Sequence, residues 1–380
     1  MVMKHFSYKP SDAVKEFFAC FSNNDNDLKI FIAPFINRYK SFVYIVDKNL
    51  PKEYMDKVVA ITRIKTEDNV VFVDPSMKKI DRVTPIWDLM VKYVPNAAIV
   101  IGGGTVGDIS GFACGTYQRG IPRIYFPTTV LSMVDGSIGG RNGIDHIGIK
   151  NSIGVIHYPE AIVNYTPFLK TLDKAEYYSG FAEIIKAAVL YDESFFVQLE
   201  QFSQSLSKYQ YDSQETLDML YKSSLIEANI CEEPNNKRRR LLYGHTIGHA
   251  YEMLTQRHKR HGDSVAIGMY IESAISVLLG FLNKKEWIRL ERLLVNLGLP
   301  KDLPSNTNLD EFLAKMLKYR RLVDDENYLF SLPDRIGHVN NQEGSCLTPI
   351  RKSKMKAILI DTLSWIKKNS HVQHYIRSID

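Results

Sequence analysis

A chain of 380 residues, 45% hydrophobic and 24% charged, is long enough for two cores and has the balance of an ordinary globular protein. Its net charge of +5 is spread along the sequence. The one dense basic run, Lys237–Arg240, has no basic stripe or interleaved aromatics, which argues against nucleic-acid binding. Four scattered cysteines (Cys20, Cys114, Cys231, Cys346) without CxxC spacing speak against a disulfide framework or a cysteine zinc site. With no signal-like apolar start and no run near the ~18 apolar residues of a membrane helix, the expectation is a cytoplasmic protein without membrane contact.

From the N-terminus, FVYIVD (Phe42–Asp47), VVFVD (Val70–Asp74), AAIVIGGG (Ala97–Gly104) and IYFPTT (Ile124–Thr129) are short β-branched or aromatic runs that end in turn residues. They predict buried parallel strands with helices between them. Asp47, Asp74 and the glycines fall at strand carboxyl ends, where open α/β sheets bind ligands. In IVIGGGTVGDISGF (Ile99–Phe112) glycine lets the backbone approach a phosphate, and the following helix start offers amide donors. The loop is neither GxGxxG nor a Walker A sequence, and a plain tight turn is the competing reading. Asp108, and Thr128–Thr129 after the next strand, favour dinucleotide phosphates.

After Pro167 the texture turns helical: GFAEIIKAAVLYDESFFVQLEQF, SQETLDMLYKSSLIEANI, HTIGHAYEMLTQ and SVAIGMYIESAISVLLGFL. The expected architecture is an α/β nucleotide-binding domain over 1–168, with a parallel sheet, and a mainly α-helical domain over 169–380. The cleft between them is the natural place for a ligand.

Three histidines, His245, His249 and His261, carry the metal question. His245 and His249 are four apart and share one helix face, while His261 opens another apolar helix. Because HxxxH is common and usually structural, the pair alone decides nothing. HExxH is absent, which disfavours a metalloprotease helix. Glu183 sits inside a strongly apolar helix, where a carboxylate needs a metal or a cation, and Lys186 follows on the same face. One carboxylate with two imidazoles is a catalytic type of zinc shell. Spacing alone leaves open which two histidines bind and which one bonds the substrate.

Taken in order, GGGTVGD (Gly102–Asp108), TYQRG (Thr116–Gly120), PTTVLSMVDGSIGGR (Pro127–Arg141), KNSIG (Lys150–Gly154), FLKTL (Phe168–Leu172), SGFAEIIK (Ser179–Lys186), GHTIGHAYE (Gly244–Glu252) and HGDSVAIGM (His261–Met269) resemble the sugar-phosphate cyclases, in particular the 3-dehydroquinate synthases. The resemblance spans Asp47 to about Arg321. It implies metal ligation (Zn2+ or Co2+) by Glu183, His245 and His261, and catalytic parts for Asp135, Lys150, Lys186 and His249. It directs Asp47, Asn49, Lys78, Gly103, Gly104, Asp108, Thr128, Thr129, Lys150, Phe168, Thr171, Leu172 and Glu176 toward NAD. It directs Arg119, Asp135, Arg141, Asn151, Lys186, Arg238, His249 and Arg320 toward a phosphorylated sugar, with Arg119 reaching the neighbouring site of a homodimer. The implied chemistry is oxidation, phosphate elimination, reduction and an intramolecular aldol closure.

Four features depart from that pattern. Arg141 and the pair Arg320–Arg321 stand where lysines are expected, which keeps charge but not geometry. Glu227 falls near a lysine that meets the substrate carboxylate, so like charges would repel there. Leu242 replaces an asparagine. These departures point toward relatives that act on sedoheptulose 7-phosphate or glucose 6-phosphate. Rival readings are a metal-dependent alcohol dehydrogenase of the glycerol dehydrogenase kind and a non-catalytic homologue.

Overall fold

The computed structural model describes residues 2–11, 13, 15–205, 211–255, 260–318, 323–340 and 345–370. The chain divides into two compact units, Met1–Leu172 with Gln210–Glu232, and Asp173–Tyr209 with Glu233–Asp380.

The first unit is built on β1 (Lys4–Tyr8), β2 (Phe17–Ser22), α1 (Asp25–Ile36), β3 (Phe42–Asp47), α2 (Lys52–Thr62), β4 (Val70–Val73), α3 (Ile80–Tyr93), β5 (Ala97–Gly102), α4 (Gly104–Thr116), β6 (Arg123–Pro127), the hairpin β7 (Arg141–His146) and β8 (Ile149–Ile156), and β9 (Ala161–Tyr165). Seven strands form one sheet in the order β1-β2-β9-β6-β5-β3-β4. All neighbours pair in parallel except β1 with β2. Strands β3 and β5 are buried along their whole length, as a sheet covered on both faces requires. Tyr44 and Val46 meet Leu28, Ile32, Tyr54 and Val58 on one face. Val43 and Ile45 meet Val83, Ile86, Met90, Val106 and Ile109 on the other. Alternation along one strand thus divides α1 and α2 from α3 and α4. Because β3 pairs with β4 on one side and β5 on the other, the chain reverses its direction across the sheet at the carboxyl ends of β3 and β5, where a doubly wound sheet opens a crevice.

Arg123 is fully buried and donates to Gly107 O at 3.0 Å, Asn142 Oδ1 at 2.8 Å and His157 O at 3.2 Å. His157 Nε2 lies 3.0 Å from Ile121 O, so this nitrogen carries the proton. Burial, with the Arg123 charge beside it, pushes the imidazole down to about 3. An unfolded histidine titrates near 6.5, so the unfolded chain takes up the proton first as pH falls. Stability is therefore intact above about 6.5 and is lost down to about 3, by at most about 1.4 kcal/mol per pH unit. We expect urea unfolding of the His157→Gln variant to lose less stability than the wild type between pH 7 and pH 4.5. Parallel pH dependences in the two proteins would assign the acid sensitivity elsewhere.

The second unit opens with α5 (Lys174–Tyr191) and α6 (Glu193–Ser205). One continuous helical pattern in the sequence becomes two helices because Asp192 caps the second, accepting from Phe195 N at 3.0 Å. The next helix, α7 (Gln214–Glu232), belongs to the first unit. Its Ser224 Oγ donates to Met133 O at 2.7 Å, fixing the single wide π-helical turn Ser132–Gly136 that carries Asp135. The second unit continues with α8 (Asn235–Arg238), a 3₁₀ turn Arg239–Leu242, α9 (His245–Leu254), α10 (His261–Leu278), α11 (Lys284–Asn296), α12 (Leu309–Met316) and α13 (Lys352–Asn369). Two short ribbons, β10 (Asn327–Phe330) with β13 (Thr348–Arg351) and β11 (Pro333–Arg335) with β12 (His338–Val339), interrupt the helices. Neither ribbon is among the elements predicted from the sequence. No described helix is long and apolar enough to cross a membrane.

Candidate functional site

Helix α5 is buried from Tyr177 through Leu190, and Glu183 and Lys186 lie one turn apart inside it, each 2% exposed. Lys186 Nζ stands 2.5 Å from Glu183 Oε2. The other oxygen, Oε1, faces His261 Nε2 at 3.4 Å and His245 Nε2 at 3.7 Å. Burial alone raises the Glu183 pKa, but Lys186 and the two imidazoles outweigh it and hold the carboxyl well below its usual range. Burial in turn pushes His245 down to about 4, which keeps the ring neutral. His245 Nδ1 donates to Tyr243 O at 3.0 Å, leaving the Nε2 lone pair toward Glu183.

This donor set fits a divalent ion. Both Glu183 oxygens are buried without a hydrogen bond of good geometry among the described residues. Metal bonds of 2.0–2.2 Å place tetrahedral ligand atoms about 3.3–3.6 Å apart. The Oε1 to Nε2 separations of 3.4 and 3.7 Å are close to that edge. His249 completes a group of three rings, with centroids 4.9 Å from His245 and 5.9 Å from His261. A second carboxylate, Glu252, stands 3.5 Å from His261 Nδ1 and was passed over in the sequence. Its only signal there was helical phase, three residues beyond His249.

Glycine explains how three helices bring these groups so close. A Cβ on Gly268 would fall 1.8 Å from Gly244 O, one on Gly248 2.7 Å from Ser264 O, and one on Gly262 1.8 Å from Ser179 O. The first two set α9 against α10, and the third sets α10 against α5.

In the first unit the carboxyl ends of β3, β5 and β6 gather Asp47, Gly102–Gly104 and Thr128–Thr129. Asp47 is buried and accepts from Asn49 N at 2.9 Å, and burial raises its pKa. Thr128 N donates to Gly102 O at 3.1 Å. Helix α4 starts at Gly104 behind Gly103, which has no side chain to cap it. A Cβ on Gly103 would come 3.0 Å from Thr129 Cγ2, whereas one on Gly104 would meet nothing within 4 Å. An amide-lined helix start with open space before it suits the phosphates of a dinucleotide.

Lys78 joins two other expected residues, Asp108 and Asn151, in one cluster. Its ammonium holds the Asp108 carboxylate and, at 2.6 Å, Asn151 Oδ1. Buried Asp145, which drew no notice in the sequence, accepts from Asn151 N at 2.8 Å and supports its left-handed backbone (φ 51°). Lys150 precedes it on β8. Thr171 Oγ1 meets Tyr54 OH at 3.1 Å, next to half-buried Leu172, while the Phe168 ring lies in the core against Tyr54. Arg119 is exposed on a left-handed backbone (φ 65°), and Arg141 is exposed at the start of β7. In the second unit, Arg238 donates through Nε to Glu233 O at 2.9 Å, and Glu176 is held by Arg260 at 3.2 Å. Of the departing residues, Glu227 is buried on α7 and Leu242 is half-buried. Arg320 and Arg321 lie outside the described residues.

A doubly wound sheet with a glycine loop and a helical unit with a Glu-His-His group around a buried carboxylate define the two-domain class that contains the dehydroquinate synthase-like cyclases. Residues 70–179 match the family profile of the 3-dehydroquinate synthase N-terminal region, and residues 180–321 that of its C-terminal region. A 3-dehydroquinate synthase of Dehalococcoides mccartyi is 35% identical over 266 residues, 68% of this chain and 73% of that one. The chain belongs to the 3-dehydroquinate synthase family, and is an enzyme of that family of cyclases. Among solved structures, 2-deoxy-scyllo-inosose synthase complexed with carbaglucose-6-phosphate, NAD+ and Co2+ superposes with a TM-score of 0.81 at 20% identity, over 94% of this chain and 99% of that one. The 2-epi-5-epi-valiolone synthase of Streptomyces hygroscopicus subsp. jinggangensis 5008, with NAD+ and Zn2+ bound, gives 0.75 at 25% identity, over 87% and 92%.

Proposed function

We propose that this chain converts a phosphorylated sugar to a carbocycle with elimination of phosphate, as a carbon–oxygen lyase that depends on NAD and on a divalent metal, zinc or cobalt. The reaction is of the 3-dehydroquinate synthase type. The observation that carries this reading is the Glu183–His245–His261 group, its carboxylate buried and Lys186 beside it, in a chain of this family. Glu183, His245 and His261 would hold the ion. Asp47, the Gly103–Gly104 helix start and Thr128–Thr129 would hold the dinucleotide, with Asn49, Lys78, Asp108, Lys150, Phe168, Thr171, Leu172 and Glu176 as further contributors. When bound, the dinucleotide accepts and returns a hydride, and the ion polarises substrate oxygens.

The chain's own groups then orient the substrate and move its protons. His249, beside the two ligand histidines, is the group to exchange a proton with a ring hydroxyl. Lys186 offers an ammonium within the same group, and Asp135 a carboxylate from its fixed turn. Arg141, Asn151, Arg238 and Arg320 supply charge and hydrogen bonds for the phosphate and its neighbours. Exposed Arg119 would serve the site of a second copy in a homodimer. Four buried cysteine thiols fit a reducing cytoplasm.

Buried Glu227 and apolar Leu242 favour a second reading, in which the sugar phosphate carries no carboxylate. A phosphate-release screen with NAD+ and zinc or cobalt decides between the two. The acidic seven-carbon substrate of the 3-dehydroquinate synthases is expected to release phosphate without net NADH. Release only from sedoheptulose 7-phosphate or glucose 6-phosphate selects the second reading. Net NADH without phosphate would mark an alcohol dehydrogenase, and no reaction at all a non-catalytic homologue.

The helix start yields its own prediction. In Gly104→Ala the added methyl meets open space, so the thermal midpoint should stay within about 1 °C. The same methyl would stand where the phosphates lie, and the Kd for NAD+ should rise at least about tenfold, which is about 1.4 kcal/mol. Unchanged NAD+ affinity by calorimetry would remove the loop from the cofactor site.

A further inference from the structure

We infer that α9 and α10 hold one another's metal ligand through a reciprocal pair of buried carboxylates, Glu252 and Glu272, which are positioning residues of the metal centre. The inference rests on the metal reading above and concerns groups that the sequence did not single out.

Helix α9 begins at His245 itself, and its N-cap residue is Gly244 at φ 76°. Glycine has no side chain to receive the first-turn amides, which normally need a capping oxygen. That oxygen comes from α10. Fully buried Glu272 accepts from Gly244 N at 2.7 Å through Oε2 and from Ile247 N at 3.0 Å through Oε1. The two amides flank His245, so one carboxylate fixes the backbone on both sides of the ligand. One residue further along α10, Ser273 Oγ meets Tyr243 OH at 2.6 Å, and Tyr243 supplies the carbonyl that orients His245 Nδ1.

The return contact runs from α9 to α10. Glu252, 7% exposed, faces His261 Nδ1 at 3.5 Å. A carboxylate at Nδ1 selects the tautomer that keeps the proton on Nδ1, turns the Nε2 lone pair toward the Glu183 side, and fixes the ring's rotation. Each helix therefore carries one ligand and the carboxylate that steadies the other's. Neither carboxylate needs to touch the ion. The close glycine contact between the helices makes both reaches possible.

The test uses the full-length chain and Co2+ as probe, in Glu252→Gln and Glu272→Gln. Each change keeps the side-chain volume but puts an amide NH2 where one carboxylate oxygen accepted. We expect the Kd for Co2+, from competition with a chromophoric chelator, to rise about 10- to 100-fold in each variant. We also expect the visible bands of bound cobalt to shift in position or intensity, because ligand orientation changes. The metal-free thermal midpoint of Glu252→Gln should match the wild type, which separates orientation from folding. Wild-type Kd and bands in both variants would overturn the clasp while leaving the metal centre intact. A wild-type chain that takes up no cobalt would overturn the metal reading, and the clasp with it.

Discussion

Glu183→Ala is expected to yield a chain that retains no zinc or cobalt, releases no phosphate from any sugar phosphate, and unfolds several degrees lower than the wild type. Two effects combine. The carboxylate is the one anionic member of the Glu183–His245–His261 group, and without it two imidazoles face a buried ammonium. The ammonium is the second effect, since Lys186 is 2% exposed and its partner at 2.5 Å is gone. Breaking a buried ion pair by removing one member costs about 3–5 kcal/mol. The losses of metal and of stability are separable. Glu183→Gln combined with Lys186→Met removes both charges at similar volume, so its thermal midpoint should recover while metal content stays at zero. Metal analysis after dialysis, alongside calorimetric unfolding, reads both. Zinc retained at full stoichiometry by Glu183→Ala would refute its assignment as a ligand.

Much of the first unit was legible because buried parallel strands announce themselves. FVYIVD became β3 over Phe42–Asp47, and AAIVIG became β5 over Ala97–Gly102. Runs of this kind are apolar on both faces and end in turn residues. β2 and β9 were not read, although they pair with one another in parallel. Their partners lie about 140 residues apart, as in Phe18 and Ala161, and local pattern carries no information on pairing at that range. The hairpin β7–β8 was missed for another reason. β8 is largely exposed, so it lacks the alternation that marks a half-buried strand.

At the Glu183–His245–His261 group, composition led to Glu183 because a carboxylate in an apolar helix demands a partner. What spacing could not do was rank the histidines. In the structure the Nε2 atoms of His245 and His261 face Glu183, with Tyr243 O and Glu252 at the far side of the rings. Lys78 shows the same limit, since nothing in the sequence ties it to both Asp108 and Asn151. The glycines of GHTIGHA and HGDSVAIGM were legible only as parts of a motif. Their physical role, to admit a neighbouring backbone, exists only once the helices are packed.

Gly262→Ala puts that role to the test, and its effect should approach that of deleting a ligand. A Cβ at this position would lie 1.8 Å from Ser179 O and 2.8 Å from Ser179 Oγ. The obstacle is a backbone carbonyl inside a buried helix, so no rotamer change can relieve it, and the start of α10 must move off α5. Ser179 lies one turn before Glu183, and His261 is the residue next to the substitution. The displacement therefore opens the 3.4 Å gap between His261 Nε2 and Glu183 Oε1 directly. Overpacking of this kind costs about 1–3 kcal/mol, which two well-packed units can absorb, so a folded protein is expected. Metal binding is less forgiving, since ligand atoms must sit within about 0.2 Å of their distances. We expect the Kd for Co2+ to rise by on the order of 100-fold or more, with near-wild-type far-UV circular dichroism. Gly104→Ala, whose methyl meets nothing, should bind cobalt like the wild type. Equal cobalt affinity in the two variants would show that the contact between Gly262 and Ser179 does not set the ligand spacing.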